Sequence, residues 1–413
     1  MLAVRQPLLD RGHPMLLAFH LPHISVLVGR AFKQAMRSND FSSSAQRGQR
    51  IASVLRRVWH RPPPPMHLSS DHFAEVIPAL LGTGAGALGW WRLLHADATG
   101  WSGAHELQQA YRLHSIQAAV HEQRIARVFQ RLRTAGIEPV LIKGWAAARL
   151  YPEKGLRPYG DIDICVKPEH YVAAVAVLQE LQSFVDLHSG CRFLDDHHID
   201  DLYAHSRLVR LGDLNVRILG PEDHLRLLCL HCLGHGAWRP LWLCDIAVAL
   251  ESRPLDFDWD RFLVGDQRRS QGATCVLALA RVLLDARLDD TPIADLAARL
   301  PRWLVPSVLS QWGTTSRWPS RPLVMFALAA HPTRAFSELC RRWPDPIRAT
   351  VHWRAPFNDL PRFPFQLAEL ISGLRVIPRQ IGWLLAGRRR ATTHSSQDGA
   401  GENHDIPRPC TPA

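Results

Sequence analysis

The sequence lacks most of the signatures that settle a function at sight. It has no G-x-x-x-x-G-K-[ST] loop and no Rossmann G-x-G-x-x-G fingerprint, which removes two common phosphate-binding designs. Spacing alone singles out no Ser-His-Asp set, and no internal repeat is present. The eight cysteines follow no framework spacing, so a disulfide-stapled secreted domain is not indicated. Cys165, Cys229, Cys232, Cys244 and Cys275 occupy apolar positions, where reduced cysteine behaves as a small hydrophobe. That usage favours a reducing cytoplasm. Long apolar runs are missing too. The longest near the N-terminus, Met15–Val28, is broken by His20, Pro22 and His23. It is too short and polar to span a bilayer, and it lacks a signal-peptide layout.

What is present suffices for a folded protein. At 413 residues and 46% hydrophobic, the chain can bury a sizeable core in two or three domains. Its 49 basic and 38 acidic residues leave +11, a balance that suits a phosphate-bearing partner. Much of that excess lies in the N-terminal arm, so a nucleic acid is the weaker reading. Residues 1–71, with Ser42-Ser43-Ser44 and Pro62-Pro63-Pro64-Pro65, read as a disordered arm holding one amphipathic helix near Arg50–Trp59. Met66 is an alternative start. Residues 72–135 read as helical, dominated by a long helix to Ala135 with Leu107, Tyr111, Ala118, Ile125, Phe129 and Leu132 on one stripe. Gly136 ends it. A core over 136–220 follows, then a helical region over 221–386, with a mixed stretch from Phe326 to Leu385, and a polar tail over 387–413.

One stretch organises the rest: Pro139–Cys165, PVLIKGWAAARLYPEKGLRPYGDIDIC. Val140-Leu141-Ile142 is a short buried strand ending at a tight Lys143-Gly144 turn. A loop with Pro152, Gly155, Pro158 and Gly160 leads into Asp161-Ile162-Asp163-Ile164. Period-two alternation puts Asp161 and Asp163 on one face of a strand. Paired carboxylates repel each other, and a hard divalent cation between them relieves that repulsion. The alternative is a capped loop–strand junction in which carboxylates accept backbone N–H bonds.

These residues resemble the polymerase-β-type nucleotidyltransferase superfamily. More narrowly, Leu141-Ile142-Lys143-Gly144, Tyr151-Pro152 and Gly155-Leu156-Arg157-Pro158-Tyr159-Gly160-Asp161-Ile162-Asp163 resemble an uncharacterised bacterial nucleotidyltransferase-like family found in many biosynthetic gene clusters. The resemblance covers roughly residues 72 to 370. It implies an α+β fold: a small mixed sheet flanked by N- and C-terminal helical segments. It implies transfer of a nucleoside monophosphate from a nucleoside triphosphate to an acceptor, by a two-metal carboxylate mechanism with Mg²⁺. The acceptor class stays open, with a small molecule or peptide favoured over a protein.

In this reading Asp161 and Asp163 bridge the metals. Asp186, in the strand Phe184–His188, holds the catalytic ion and draws a proton from the acceptor. Alternation puts His188 on the face of Asp186. Only 22 residues separate Asp163 from Asp186, fewer than in relatives, so the strand could pair in the other register and turn both side chains away. Gly144 lets backbone N–H groups approach phosphate, while Lys143 and Arg157 supply charge. Gly144 is followed by Trp145 rather than the usual serine, which loses a phosphate contact and threatens to crowd the site. His231, His235 and Asp245 are candidates for the cleft wall. A zinc site at Cys229-Leu230-His231-Cys232 and His235 is disfavoured, because the cysteines fall on the apolar side of their helix. The competing reading is a catalytically degenerate module of the same fold that holds a nucleotide or a protein.

Overall fold

The computed structural model describes residues 39–181, 184–297, 299–314 and 343–372. Its contacts divide the chain into two units, and the first, Met1–Pro319 with Pro344–Gln366, carries every element discussed below. In chain order these are α1 (Asn39–Leu55), α2 (Gly86–Leu94), α3 (Ala104–Thr134), β1 (Val140–Leu141), α4 (Trp145–Ala148), β2 (Ile162–Val166), β3 (Val185–Ser189), α5 (Ile199–Ala204), β4 (Arg207–Leu211), β5 (Leu214–Ile218), α6 (Pro221–Gly234), α7 (Pro240–Glu251), α8 (Gln267–Leu284) and α9 (Leu304–Gly313).

The strands form one mixed sheet in the order β3-β2-β1-β5-β4. The fold is therefore α+β, as the sequence predicts. β1 runs antiparallel to β2 and parallel to β5, β2 runs parallel to β3, and the β4–β5 hairpin turns at Gly212-Asp213. Every residue of β2 is buried, because both sheet faces are covered. On one face Leu141, Ile162, Ile164, Val166, Val216 and Ile218 pack with Ile125, Phe129 and Leu132 of α3. On the other, Val140, Ile142 and Cys165 pack with Leu202 of α5 and Leu227 and Leu230 of α6. Pleating sends Asp163 to the second face, along with Cys165. The stripe predicted on α3 matches its buried side: Leu107, Ala118, Ile125, Phe129 and Leu132.

The largest core is helical and runs from α1 through α6, α7, α8 and α9. This corrects the reading of residues 1–71 as a disordered arm, for the part that is described. Ile51, Val54, Leu55 and Val58 are buried at i, i+3, i+4 and i+7. The buried Arg92 of α2 donates to the carbonyls of Val54, Arg56 and Pro64, fixing the chain beyond α1. Trp59 Nε1 donates to Glu251 at 3.0 Å. At the α1–α9 crossing a Cβ on Gly48 would collide with the Leu309 carbonyl, and one on Gly313 with that of Ser44. Composition hid this helix. Its serine patch and neighbouring polyproline read as a spacer, while the element covering it lies about 250 residues further on. The predicted tail over 387–413, and the 326–385 stretch outside 343–372, lie outside the described residues. Among the described residues no helix is long and apolar enough to cross a membrane.

Candidate functional site

Asp163 is the second residue of β2, and the β2–β3 register places Asp186 directly opposite it. Opposed residues of a parallel pair point to one face, and His188, two residues on, joins them. One carboxylate oxygen from each acid and one His188 ring nitrogen lie within 4.8 Å of one another. His188 Nε2 is 3.2 Å from Asp186 and 3.8 Å from Asp163. The register that would have turned Asp186 away is thus not adopted. Asp186 is half exposed and Asp163 buried, so the cluster has a solvent side and a core side.

Asp161 lies one residue before β2 and is exposed. It stands at the rim of a cleft of about 360 Å³ that Lys143, Gly144, Arg157 and Asp163 also line. That volume lies in the usual range for small-ligand sites. The cleft forms where the β1 turn meets the loop before β2 and the ends of α6 and α7. Gly144 has φ +61 and ψ −109, a backbone conformation closed to other residues, and it caps α4. Trp145 does not crowd the cleft. Its ring joins the core against α3 and its Nε1 donates to Glu122 at 3.2 Å.

Two of the predicted phosphate-binding cations already hold carboxylates. Lys143 Nζ is 2.6 Å from Asp163 Oδ1. Burial opposes the charge on Asp163, but His188 and Lys143 outweigh it and hold the carboxyl below its usual range. Arg157 forks onto buried Asp245, with Nη2 at 2.8 Å and Nε at 3.1 Å, and Tyr151 donates to the same carboxylate at 2.9 Å. Asp245 therefore braces the cleft from beneath rather than lining it. His231 does line the cleft, and burial beside Lys143 pushes its pKa down to about 3, so it is neutral. His231, His235 and Trp242 form one aromatic cluster, with ring centroids 4.6–5.2 Å apart. Cys229 and Cys232 are buried in the helical core, where burial pushes both thiols up and away from the thiolate a metal needs.

Sequence reasoning missed Arg239 and Trp242. Arg239 lines the cleft from the α6–α7 connection, donates from Nε to the Thr83 carbonyl at 2.5 Å, and lies over the Trp242 ring at 5.8 Å. Burial and the neighbouring Arg157 lower its pKa. The available signal was Arg239-Pro240 after Gly234 and Gly236, a helix–helix turn opening on Pro.

A mixed sheet with a glycine turn and facing carboxylates on adjacent strands is consistent with a nucleotidyltransferase-type core. The comparison with family models agrees: a family described as an uncharacterised nucleotidyltransferase matches residues 102–183 and 180–289. The chain is similar to that nucleotidyltransferase-like family across α3, the sheet and the helices through α8. Neither curated proteins nor solved structures gave a match.

Proposed function

We propose that this cleft binds a nucleoside triphosphate with Mg²⁺ and transfers its nucleoside monophosphate to an acceptor hydroxyl. The observation that carries the reading is Asp163 paired with Asp186 across two parallel strands, with Asp163 also lining the cleft beside Gly144 and Asp161, the latter outside the Asp163–Asp186–His188 cluster. The residues fit a cation. Asp163 Oδ1 and His188 Nε2 are buried atoms without a hydrogen bond, and both belong to the acid cluster. Asp161, Asp163 and Asp186 would hold the metal, which when bound neutralises phosphate charge and sharpens the attacking oxygen. Lys143, released from Asp163, turns to the phosphates together with the Gly144 backbone and Arg239. Arg157 contributes its field from the cleft floor. The acceptor oxygen bonds to the α-phosphorus, the bond to pyrophosphate breaks, and the acceptor proton passes to half-exposed Asp186. A small molecule or peptide is the favoured acceptor class. The buried thiols at Cys229, Cys232 and Cys244 support a cytoplasmic setting.

The test is Mg²⁺-dependent binding of each nucleoside triphosphate to the full chain, followed by pyrophosphate release with candidate acceptors. Asp163→Asn should abolish both while the fold, read by circular dichroism, is kept. Unchanged nucleotide affinity in that variant would sink the assignment. Binding without turnover would favour the second reading, a degenerate nucleotide- or protein-binding module. Its support is that Lys143 and Arg157 are already engaged with Asp163 and Asp245.

A further inference from the structure

We propose that His188 is itself a metal ligand, so that of the two cations of a two-metal site the one held by Asp163 and Asp186 is a first-row transition ion of the Mn²⁺ kind, Mg²⁺ being the ion that accompanies the nucleotide. The proposal rests on the metal-dependent reading above and concerns which ion the acid cluster takes and through which atoms.

The geometry starts from the strands. Asp163 pairs with Asp186, and His188 follows on the same face, so backbone register alone converges two oxygens and a nitrogen. Donors around an ion at about 2.1 Å each stand roughly 3–4 Å from one another. His188 Nε2 lies 3.2 Å from Asp186 Oδ2 and 3.8 Å from Asp163 Oδ1, both in that range. Neither Nε2 nor Oδ1 makes a hydrogen bond, although both are buried. Their charged neighbours are Lys143, 2.6 Å from Oδ1, and Asp186, 3.2 Å from Nε2, and an ion shared by Asp163, Asp186 and His188 would replace both contacts at once. Lys143 Nζ comes within 2.6 Å of Oδ1 without the alignment of a hydrogen bond. It acts as a stand-in positive charge, displaced when the ion arrives.

Donor chemistry then selects the ion. Mg²⁺ takes oxygen and keeps its waters, and it gains little from an imidazole. Two carboxylates with one imidazole suit ions that accept both donor types. The rival is a protonated His188 held as a plain ion pair between two carboxylates, which needs no metal.

The experiment uses the full chain with one equivalent of Mn²⁺ as the probe and no nucleotide. Pulsed electron paramagnetic resonance should show ¹⁴N coupling from a directly bound imidazole, replaced by ¹⁵N coupling when histidine is isotopically labelled. His188→Asn should abolish the coupling and weaken Mn²⁺ binding about tenfold or more, while weakening Mg²⁺ binding less than about threefold. His231→Asn should leave the coupling in place. Wild-type protein that binds Mn²⁺ without nitrogen coupling overturns the proposal, and this outcome needs no variant to fold. So does coupling that survives in His188→Asn, or the absence of stoichiometric Mn²⁺ binding. Nitrogen coupling in a protein that never binds nucleotide would refute the transferase reading and leave the ligand assignment standing. Mg²⁺-dependent turnover without nitrogen coupling would do the reverse.

Discussion

Replacing Asp245 by asparagine tests whether Arg157 serves the fold or the ligand. The Asp245 side chain is 1% exposed and that of Arg157 9%, so both charges have left water. At about 3 Å and an effective dielectric near 20, their attraction is about 5 kcal/mol. Desolvation offsets most of it, so the intact pair contributes little net stability. Removing one charge is different: Arg157 stays buried with its desolvation uncompensated, and such losses run to about 3–5 kcal/mol. Asparagine keeps the volume and an oxygen for the Tyr151 hydroxyl, which places Asp245→Asn near the lower end, about 3 kcal/mol. That is roughly a hundredfold in the unfolding equilibrium. Urea unfolding of the full chain, followed by tryptophan fluorescence, reads this directly. The double variant Asp245→Leu with Arg157→Met removes both charges and should be more stable than either single change, because no buried charge is orphaned and only the neutral Tyr151 hydroxyl loses its acceptor. A loss below about 1 kcal/mol in Asp245→Asn, or a double variant no better than the singles, would refute the argument. Arg157 would then be held for the phosphates.

Four further outcomes are expected. Gly48→Ala should destabilise the protein by about 1–3 kcal/mol, since its Cβ meets backbone at the α1–α9 crossing; an unchanged melting temperature would place α1 outside the core. Arg239→Ala should weaken triphosphate binding about tenfold and flatten its salt dependence, as isothermal titration at two ionic strengths would show. Asp186→Ala should leave nucleotide affinity within about tenfold while lowering turnover about 10²-fold, the scale for one positioned base; equal loss of both would make Asp186 a binding residue only. Glu138 is half buried between Arg133 and Arg217; burial opposes its charge, yet the two arginines hold its carboxyl below the usual range. Its stabilisation is therefore complete above about pH 4.5 and lost as pH falls through the depressed value, so Glu138→Gln should cost about 1 kcal/mol at pH 7 and progressively less as pH falls below about 4.5.

The strands and the glycine turn were legible because each is written locally, whereas Asp161, read as the same-face partner of Asp163, lies before β2 and outside the Asp163–Asp186–His188 cluster. Ile162, Ile164 and Val166 alternate with Asp163 and Cys165, and that period alone fixes which side chains share a face. Strand β3 was anticipated within one residue, and its parallel pairing brings Asp186 to Asp163. Partnership was not legible. Nothing near Arg157 in sequence announces that its fork is taken by Asp245, 88 residues on. The same holds for Arg239, whose seat is made by Thr83, 156 residues earlier. The α1 helix failed for the opposite reason. Its apolar face is short and lies among serines and prolines, so composition outvoted a periodicity that only a distant helix could complete.

The ties beneath the cleft bear on how the protein would turn over. Arg157 and Tyr151 both close on Asp245 of α7, and Arg239 is bolted to the Thr83 carbonyl ahead of α2. The helical wall is thus framework rather than a flap, and its side chains are ordered before any ligand arrives. A ligand meeting such a wall avoids about 0.5–1.5 kcal/mol of ordering entropy for each side chain already fixed. The gain has a kinetic counterpart. On the nucleotidyl-transfer proposal, a wall that need not close would leave the slow step to bond-making or to release of pyrophosphate. A rigid wall also restricts the range of acceptors, since only a molecule already shaped to the Trp242 side can settle without deforming it.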